Sequence, residues 1–265
     1  MSVLRSIFWF CAGLAQIGAA SAEIIVSPLR QVITRQEPVA IYEIANVSDR
    51  IIDGRVSWTD LAATDTGYVP ASADLRARIS AAPFLVVSPA RFRLEPGKRT
   101  SVAVKLRKGA SVPPGERRSH LLIETKPVRT PLRRAGGGLE VDVGLGVSTP
   151  VILRAGLAVP AVAIEKTRLV RDSEGLLELQ TSLTRTGKYS SFGKLTATLV
   201  SQGKERLLSE FENVAVHVDA SQRTLTLPLG DNALPPGMLT LRYVGKAEFE
   251  GRVFAEKSFE IAPPQ

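Results

Sequence analysis

Between Gly136 and Arg154 the sequence GGGLEVDVGLGVSTPVILR sets Leu139, Val141, Val143, Leu145 and Val147 at every second position. Glu140, Asp142, Gly144, Gly146 and Ser148 fill the gaps. A period of two predicts a β-strand with one apolar face and one polar or bare face. The ribbon follows three glycines and closes at Pro150, and proline within sheets is confined largely to edges. The alternation alone leaves open whether the apolar face packs inward or is offered to another chain.

The same punctuation recurs along the whole chain. EIIVSPLRQVIT, VAIYEIAN and IIDGRVSWTDL are each bounded by Pro, Asn, Asp or Gly. An apolar run then leads through a Pro96-Gly97 turn into an alternating strand carrying Val102, Val104 and Leu106, followed by SHLLIETKP. About seven strands at this spacing fit an antiparallel β-sandwich. After Arg154, Gly156 and Pro160 suit a linker, and LLELQTSLTRTG, GKLTATLVSQG, NVAVHVDASQRTLTLPLG, GMLTLRYVG and RVFAEKSFEI predict a second all-β unit. No amphipathic helix stands out. The expected fold class is therefore all-β, two immunoglobulin-like sandwiches in tandem. The expected divisions are a leader at 1–22, a first domain at 23–154 and a second at 155–265.

The first residues change the picture of where the chain works. Arg5, the apolar run SIFWFCAGLAQIGAA and the small residues Ala20-Ser21-Ala22 have the order of a cleavable export signal. The apolar run is too short for a membrane span. Its removal would take away Cys11, the only cysteine, leaving neither disulfides nor thiol catalysis in an oxidising compartment. Losing Arg5 would lower the formal charge from +8 to +7, which favours acidic partners or anionic lipid surfaces. The densest basic cluster, Lys126, Arg129, Arg133 and Arg134, contains no aromatic residue, and reads as a solvated loop rather than a nucleic-acid surface.

Candidate chemistry is sparse. His120 and His217, the only histidines, lie in strand-like runs without Cys, His or acidic neighbours at metal-ligand spacing. There is no Gly-x-Ser-x-Gly elbow. Gly136 to Gly138 precede a strand and lack the Lys-Ser/Thr of a phosphate loop. Glu140 and Asp142 share a strand face, for which solvation is the simpler reading. No catalytic residue, metal or cofactor is expected, and the chain reads as a binding protein rather than an enzyme.

Several blocks, in order, resemble the periplasmic pilus chaperones of the PapD type. PLRQVITRQEPVAIYEIANVS is similar to that family's first two strands, with Arg30 at the place of a basic client anchor. GRVSWTDL matches its tryptophan-bearing strand through Trp58, and PFLVVSPARFRLEPG, from Pro83 to Gly97, resembles a family block that VPPGERRSHLLIE follows here. The second domain is similar only in outline.

The resemblance implies a chaperone that binds pilus or fimbrial subunits in the periplasm by lending them a strand, then delivers them to an outer-membrane usher. No nucleic acid and no membrane insertion after signal removal would be involved. The lending strand would be Leu139, Val141, Val143, Leu145 and Val147, and Arg30 would receive the client's terminal carboxylate. This chain departs from the family where a lysine is usual and Thr149-Pro150 stand, so either Arg30 would act alone, or another cation such as Lys126 would substitute, or the client end would be held differently. Arg154 corresponds to the family's interdomain arginine. The acid expected in the family's D-R-E-S is replaced in Glu116-Arg117-Arg118-Ser119, which makes Glu116 the candidate partner. The alternative is a secreted tandem Ig-like adhesive or structural protein whose ribbon pairs with its own sheet or with a copy of itself.

Overall fold

The computed structural model describes residues 24–128 and 144–262. The leader at 1–22 and the ribbon positions Leu139, Val141 and Val143 lie outside the described residues.

The first sandwich begins with a strand that changes sheet. β1 (Ile24–Ser27) pairs antiparallel with β3 (Val39–Asn46), while β2 (Gln31–Ile33), only three residues further on, belongs to the facing sheet. Arg30 sits at this crossing. The first sheet has the order β1-β3-β9-β7, with β7 at Leu85–Ser88 and β9 at Arg99–Leu106. The second runs β2-β11-β10-β4-β8, from β4 (Ile52–Thr59), β8 (Arg91–Leu94), β10 (Gly115–Pro127) and β11 (Leu145–Ala155). In VAIYEIAN, Ala40, Tyr42 and Ile44 point into the core and Val39, Ile41 and Glu43 face outward, as the pleat requires. Tyr42, Ile44, Val102 and Val104 close on Leu121, Ile123, Val151 and Leu153 from the opposite sheet. The Glu95 to Lys98 turn places Gly97 at φ +71° with Lys98 N–H donating to the Glu95 carbonyl. That left-handed third position favours glycine after proline.

An insertion between β4 and β7 was not expected. β5 (Leu61–Ala63) and β6 (Tyr68–Pro70) form a hairpin, followed by the helix α1 (Ala73–Ile79). Ser72 caps the helix, its hydroxyl accepting from Leu75 N–H. The helix buries only Ile79 completely, and two turns are too few to show a helical period in the sequence.

The second sandwich packs the sheet β12-β13-β16 against β15-β14-β17-β18. The strands are β12 (Ala161–Arg171), β13 (Leu177–Thr186), β14 (Ser191–Ser201), β15 (Lys204–Val216), β16 (Gln222–Pro228), β17 (Gly237–Gly245) and β18 (Val253–Ile261). Leu179, Leu183, Leu195, Leu199, Leu227, Leu239, Leu241 and Tyr243 form a core separate from the first. The described residues are all-β apart from α1 and two short 3-10 turns, built as two sandwiches in tandem.

Candidate functional site

Two features stand out among the described residues: a stretch of β11 that no described strand pairs on one side, and a buried charge cluster where the sandwiches meet.

The first of these lies in β11. Its whole length pairs antiparallel with β10, from Leu145 opposite Thr125 to Ala155 opposite Gly115. On the other side, β2 pairs in parallel only with Val151, Ile152 and Leu153. Among the described residues no strand pairs with that side of Leu145 to Thr149. The burial pattern assigns the faces. Val151 and Leu153 are fully enclosed, Thr149 is buried, and Val147 and Leu145 on the same face are half-buried. Gly146 and Ser148 on the opposite face are exposed.

This corrects one expectation. Val147 packs against the first sandwich's own core instead of standing wholly clear for a client. Leu145 and Val147, the two ribbon positions described, share the inner face with Thr149, Val151 and Leu153. Lys126, the alternative cation, lies nearby, lining with Leu122, Glu124 and Gly146 an open cavity of about 750 Å³.

The junction between the sandwiches gathers residues from distant parts of the sequence. Glu116 on β10 and Arg154 on β11 face each other in register, and Arg154 Nε donates to Glu116 at 2.8 Å. Both side chains are almost wholly buried. A bare ion pair there would be costly to desolvate, but every atom of the Glu116 carboxylate is used: Ser190, leading into β14, donates to it from its backbone N–H at 3.1 Å and from its hydroxyl. Arg154 Nη1 reaches across to Glu248 at 2.5 Å. Its guanidinium lies 5.2 Å from the centroid of Phe249.

Glu248 is the residue that joins the cluster to the start of the chain. It sits in a 3-10 turn (Ala247–Phe249) between β17 and β18. Arg30 grips it with both terminal nitrogens, at 3.0 and 2.6 Å, a bidentate fork suited to a carboxylate. The Arg30 guanidinium also stacks 4.1 Å from the Phe192 ring centroid. Burial pushes the Glu248 carboxyl up, but the Arg30 fork and the charge of Arg154 outweigh it and hold the group below the usual carboxylate range. The structure therefore differs from a freely presented Arg30: the fork already holds a carboxylate of its own chain.

A second buried pair flanks the first. Arg118 Nη2 donates to Asp219 at 2.9 Å and to the Leu61 carbonyl at 3.0 Å, and the Asp219 carboxylate also accepts from Ala63 N–H at 2.7 Å. Asp219 and Glu248 carried no local signal in the sequence; the signal was the opposite charge, since Arg118 and Arg154 in otherwise buried strands require acidic partners from somewhere. Ser190 lies 3.5 Å from His217 Nδ1, but it is buried and its proton is directed at Glu116. That geometry braces the junction and offers no accessible nucleophile. Among the described residues no group of three or more His, Cys, Asp or Glu could hold a metal. No described helix is long and apolar enough to cross a membrane.

No protein-family model matches the chain, and no curated protein matches it. Solved structures do align with it. The YadV chaperone is 11% identical, over 91% of this chain and 100% of that one, with a TM-score of 0.47. The Salmonella enterica SafA pilin in complex with the SafB chaperone gives 14% identity over 90% and 96%, with a TM-score of 0.46. The CsuC-CsuE chaperone and tip adhesion subunit pre-assembly complex, from archaic chaperone-usher Csu pili of Acinetobacter baumannii, gives 13% identity over 90% and 98%, at 0.45.

Proposed function

We propose that the chain is a periplasmic chaperone for pilus or fimbrial subunits, exported by its leader and working stoichiometrically without cofactor or metal. The observation that carries this reading is the side of β11 from Leu145 to Thr149 that no described strand pairs, on a strand whose half-buried Leu145 and Val147 share a face with the core residues Val151 and Leu153. The ordered sequence blocks that resemble PapD-type chaperones support it independently.

A subunit missing a strand exposes an apolar groove and unpaired edges, and an edge strand from another protein can fill both needs. Four aliphatic side chains, Leu139, Val141, Val143 and Leu145, would gain on the order of 10 kcal/mol at about 1.5–3 kcal/mol each. Lost rigid-body freedom and segment ordering offset several kcal/mol of that. Ladder hydrogen bonds add roughly 1 kcal/mol net apiece without reading sequence, which lets one chaperone serve several subunits before handing them to an outer-membrane usher.

Arg30 is proposed as the anchor for a client's terminal carboxylate, which would enter by exchanging with Glu248. Glu248→Gln should then strengthen client capture, while Arg30→Ala weakens it.

The decisive experiment captures partners of tagged wild-type and Leu145→Asp chains from the periplasm and identifies them by mass spectrometry. Wild type should retain subunits with incomplete sandwiches. The substitution should reduce that capture at least tenfold while leaving the melting transition in place. Recovery of self-oligomers alone would favour the tandem Ig-like adhesive reading, and equal capture by both chains would remove Leu145 from the binding strand.

A further inference from the structure

The insertion hairpin reaches the second sandwich through one aromatic side chain set between two imidazoles. The Tyr68 hydroxyl on β6 lies 2.7 Å from Nε2 of His217, which directly follows β15. The Tyr68 ring meets His120 on β10 edge to face, with centroids 5.3 Å apart, and lies 5.7 Å from His217. Both histidines are buried, and Nδ1 of His120 has no hydrogen-bond partner among the described residues. Around this core the hairpin makes two further contacts with the second sandwich: Ala63 N–H donates to Asp219, and Thr224 N–H on β16 donates to the Asp65 carbonyl at 2.7 Å.

The charges facing the pair are mostly positive. Arg118 on β10 lies 5.3 Å from the Tyr68 ring centroid. Arg223 on β16 and Arg30 beside β2 also act on His217, and Arg185 on β13 donates to the carbonyl of Val218, its sequence neighbour. The acids that face the pair are already engaged, Asp219 by Arg118 and Glu116 by Arg154 and Ser190. A proton added to either imidazole would thus be buried beside cations, with no free carboxylate to receive it. The hydrogen bond to Tyr68 does not itself oppose protonation, because the phenolic oxygen can accept from an imidazolium.

We propose that the Tyr68 hairpin is an acid-released latch, which fastens the first sandwich to the second while His120 and His217 are neutral and lets go when either gains a proton. The latch stands on the geometry of the junction, whatever the chain binds. The sign follows from linkage. Burial, with the charge of Arg118, brings His120 down to about 4. Burial, with Arg118 and the other nearby cations, brings His217 well below its ordinary value. An opened latch returns both imidazoles to water, where they titrate near 6.5. The closed form then binds fewer protons, so its advantage is complete above that value and declines as pH falls toward the folded-state values. From His120 alone, acidifying from about pH 7.5 to about pH 5 should shift the latch toward open roughly 30-fold.

Hydrogen exchange on the full chain at those two pH values, corrected for intrinsic rates, tests this. The amides of Ala63 and Thr224 should lose at least tenfold in protection, while core amides of β3 and β14 keep theirs. A His120→Gln, His217→Gln double variant should lose the pH dependence. Equal protection of the hairpin at both pH values, or the same loss in the double variant, would overturn the latch. Should that variant fail to fold, NMR titration of the wild-type imidazoles decides: both must remain neutral below pH 6, and ordinary titration near 6.5 overturns the proposal.

Discussion

Arg154→Ala should lower the free energy of unfolding by about 3–5 kcal/mol, the range found when one partner of a buried ion pair is removed. The loss should be this large because Arg154 serves two carboxylates. Glu116 would keep its bonds from Ser190 but lose the guanidinium that hydrogen-bonds it, inside a junction with almost no solvent access. Glu248 would keep the Arg30 fork, so the damage should concentrate at Glu116. Urea unfolding followed by far-ultraviolet circular dichroism measures the change. Adding Glu116→Ala to Arg154→Ala should recover part of the loss, because the orphaned charge is then gone. A loss below about 1 kcal/mol, typical of exposed pairs, would mean that the junction is open to water. Arg93 with Asp53 is such an exposed pair despite its bidentate geometry.

Much of the fold was legible because strand alternation is local. VAIYEIAN, TSVAVKL and GMLTLRYVG each show their buried face directly, and Pro96-Gly97 marks a turn whose glycine needs a positive φ. The parallel pairing of β2 with β11 was not legible, since three residues cannot advertise a partner more than a hundred positions away. Val147 shows the limit of periodicity most clearly: a period of two says which residues share a face, and the rest of the sheet decides whether that face is core. The junction divides along the same line. Glu116 and Arg154 could be matched because they sit on strands with recognisable surroundings. Glu248 is one of three acids in KAEFEGRVFAE, and Tyr68 stands in a hairpin that no alternation announced. Their roles arise from tertiary distance alone.

The second sandwich touches the junction through a row of aromatic rings, and Tyr243→Ala should reveal energetic coupling between them. Tyr243 is fully buried, stacks on Phe254 at 5.2 Å between centroids, and Phe254 in turn meets Phe249 edge to face at 5.2 Å. Phe249 is the ring beneath the Arg154 guanidinium, next in sequence to Glu248. The Tyr243 hydroxyl donates to the Val214 carbonyl at 2.9 Å. Truncation to alanine should therefore cost about 3–5 kcal/mol, as large aromatic deletions do, and leave the Val214 carbonyl without that bond. Tyr243→Phe keeps the ring stack and should cost only about 1–2 kcal/mol, the loss of the buried hydroxyl that bonds the Val214 carbonyl and Ser191 Oγ. If the rings hold the 3-10 turn that presents Glu248, the alanine change should also weaken the grip on Arg154. A double-mutant cycle between Tyr243→Ala and Arg154→Ala should then depart from additivity by at least about 0.5 kcal/mol, while the cycle with Tyr243→Phe stays additive. Strict additivity in both cycles would show that the core of the second sandwich and the junction are energetically independent, and that Glu248 is held in place by its arginines alone.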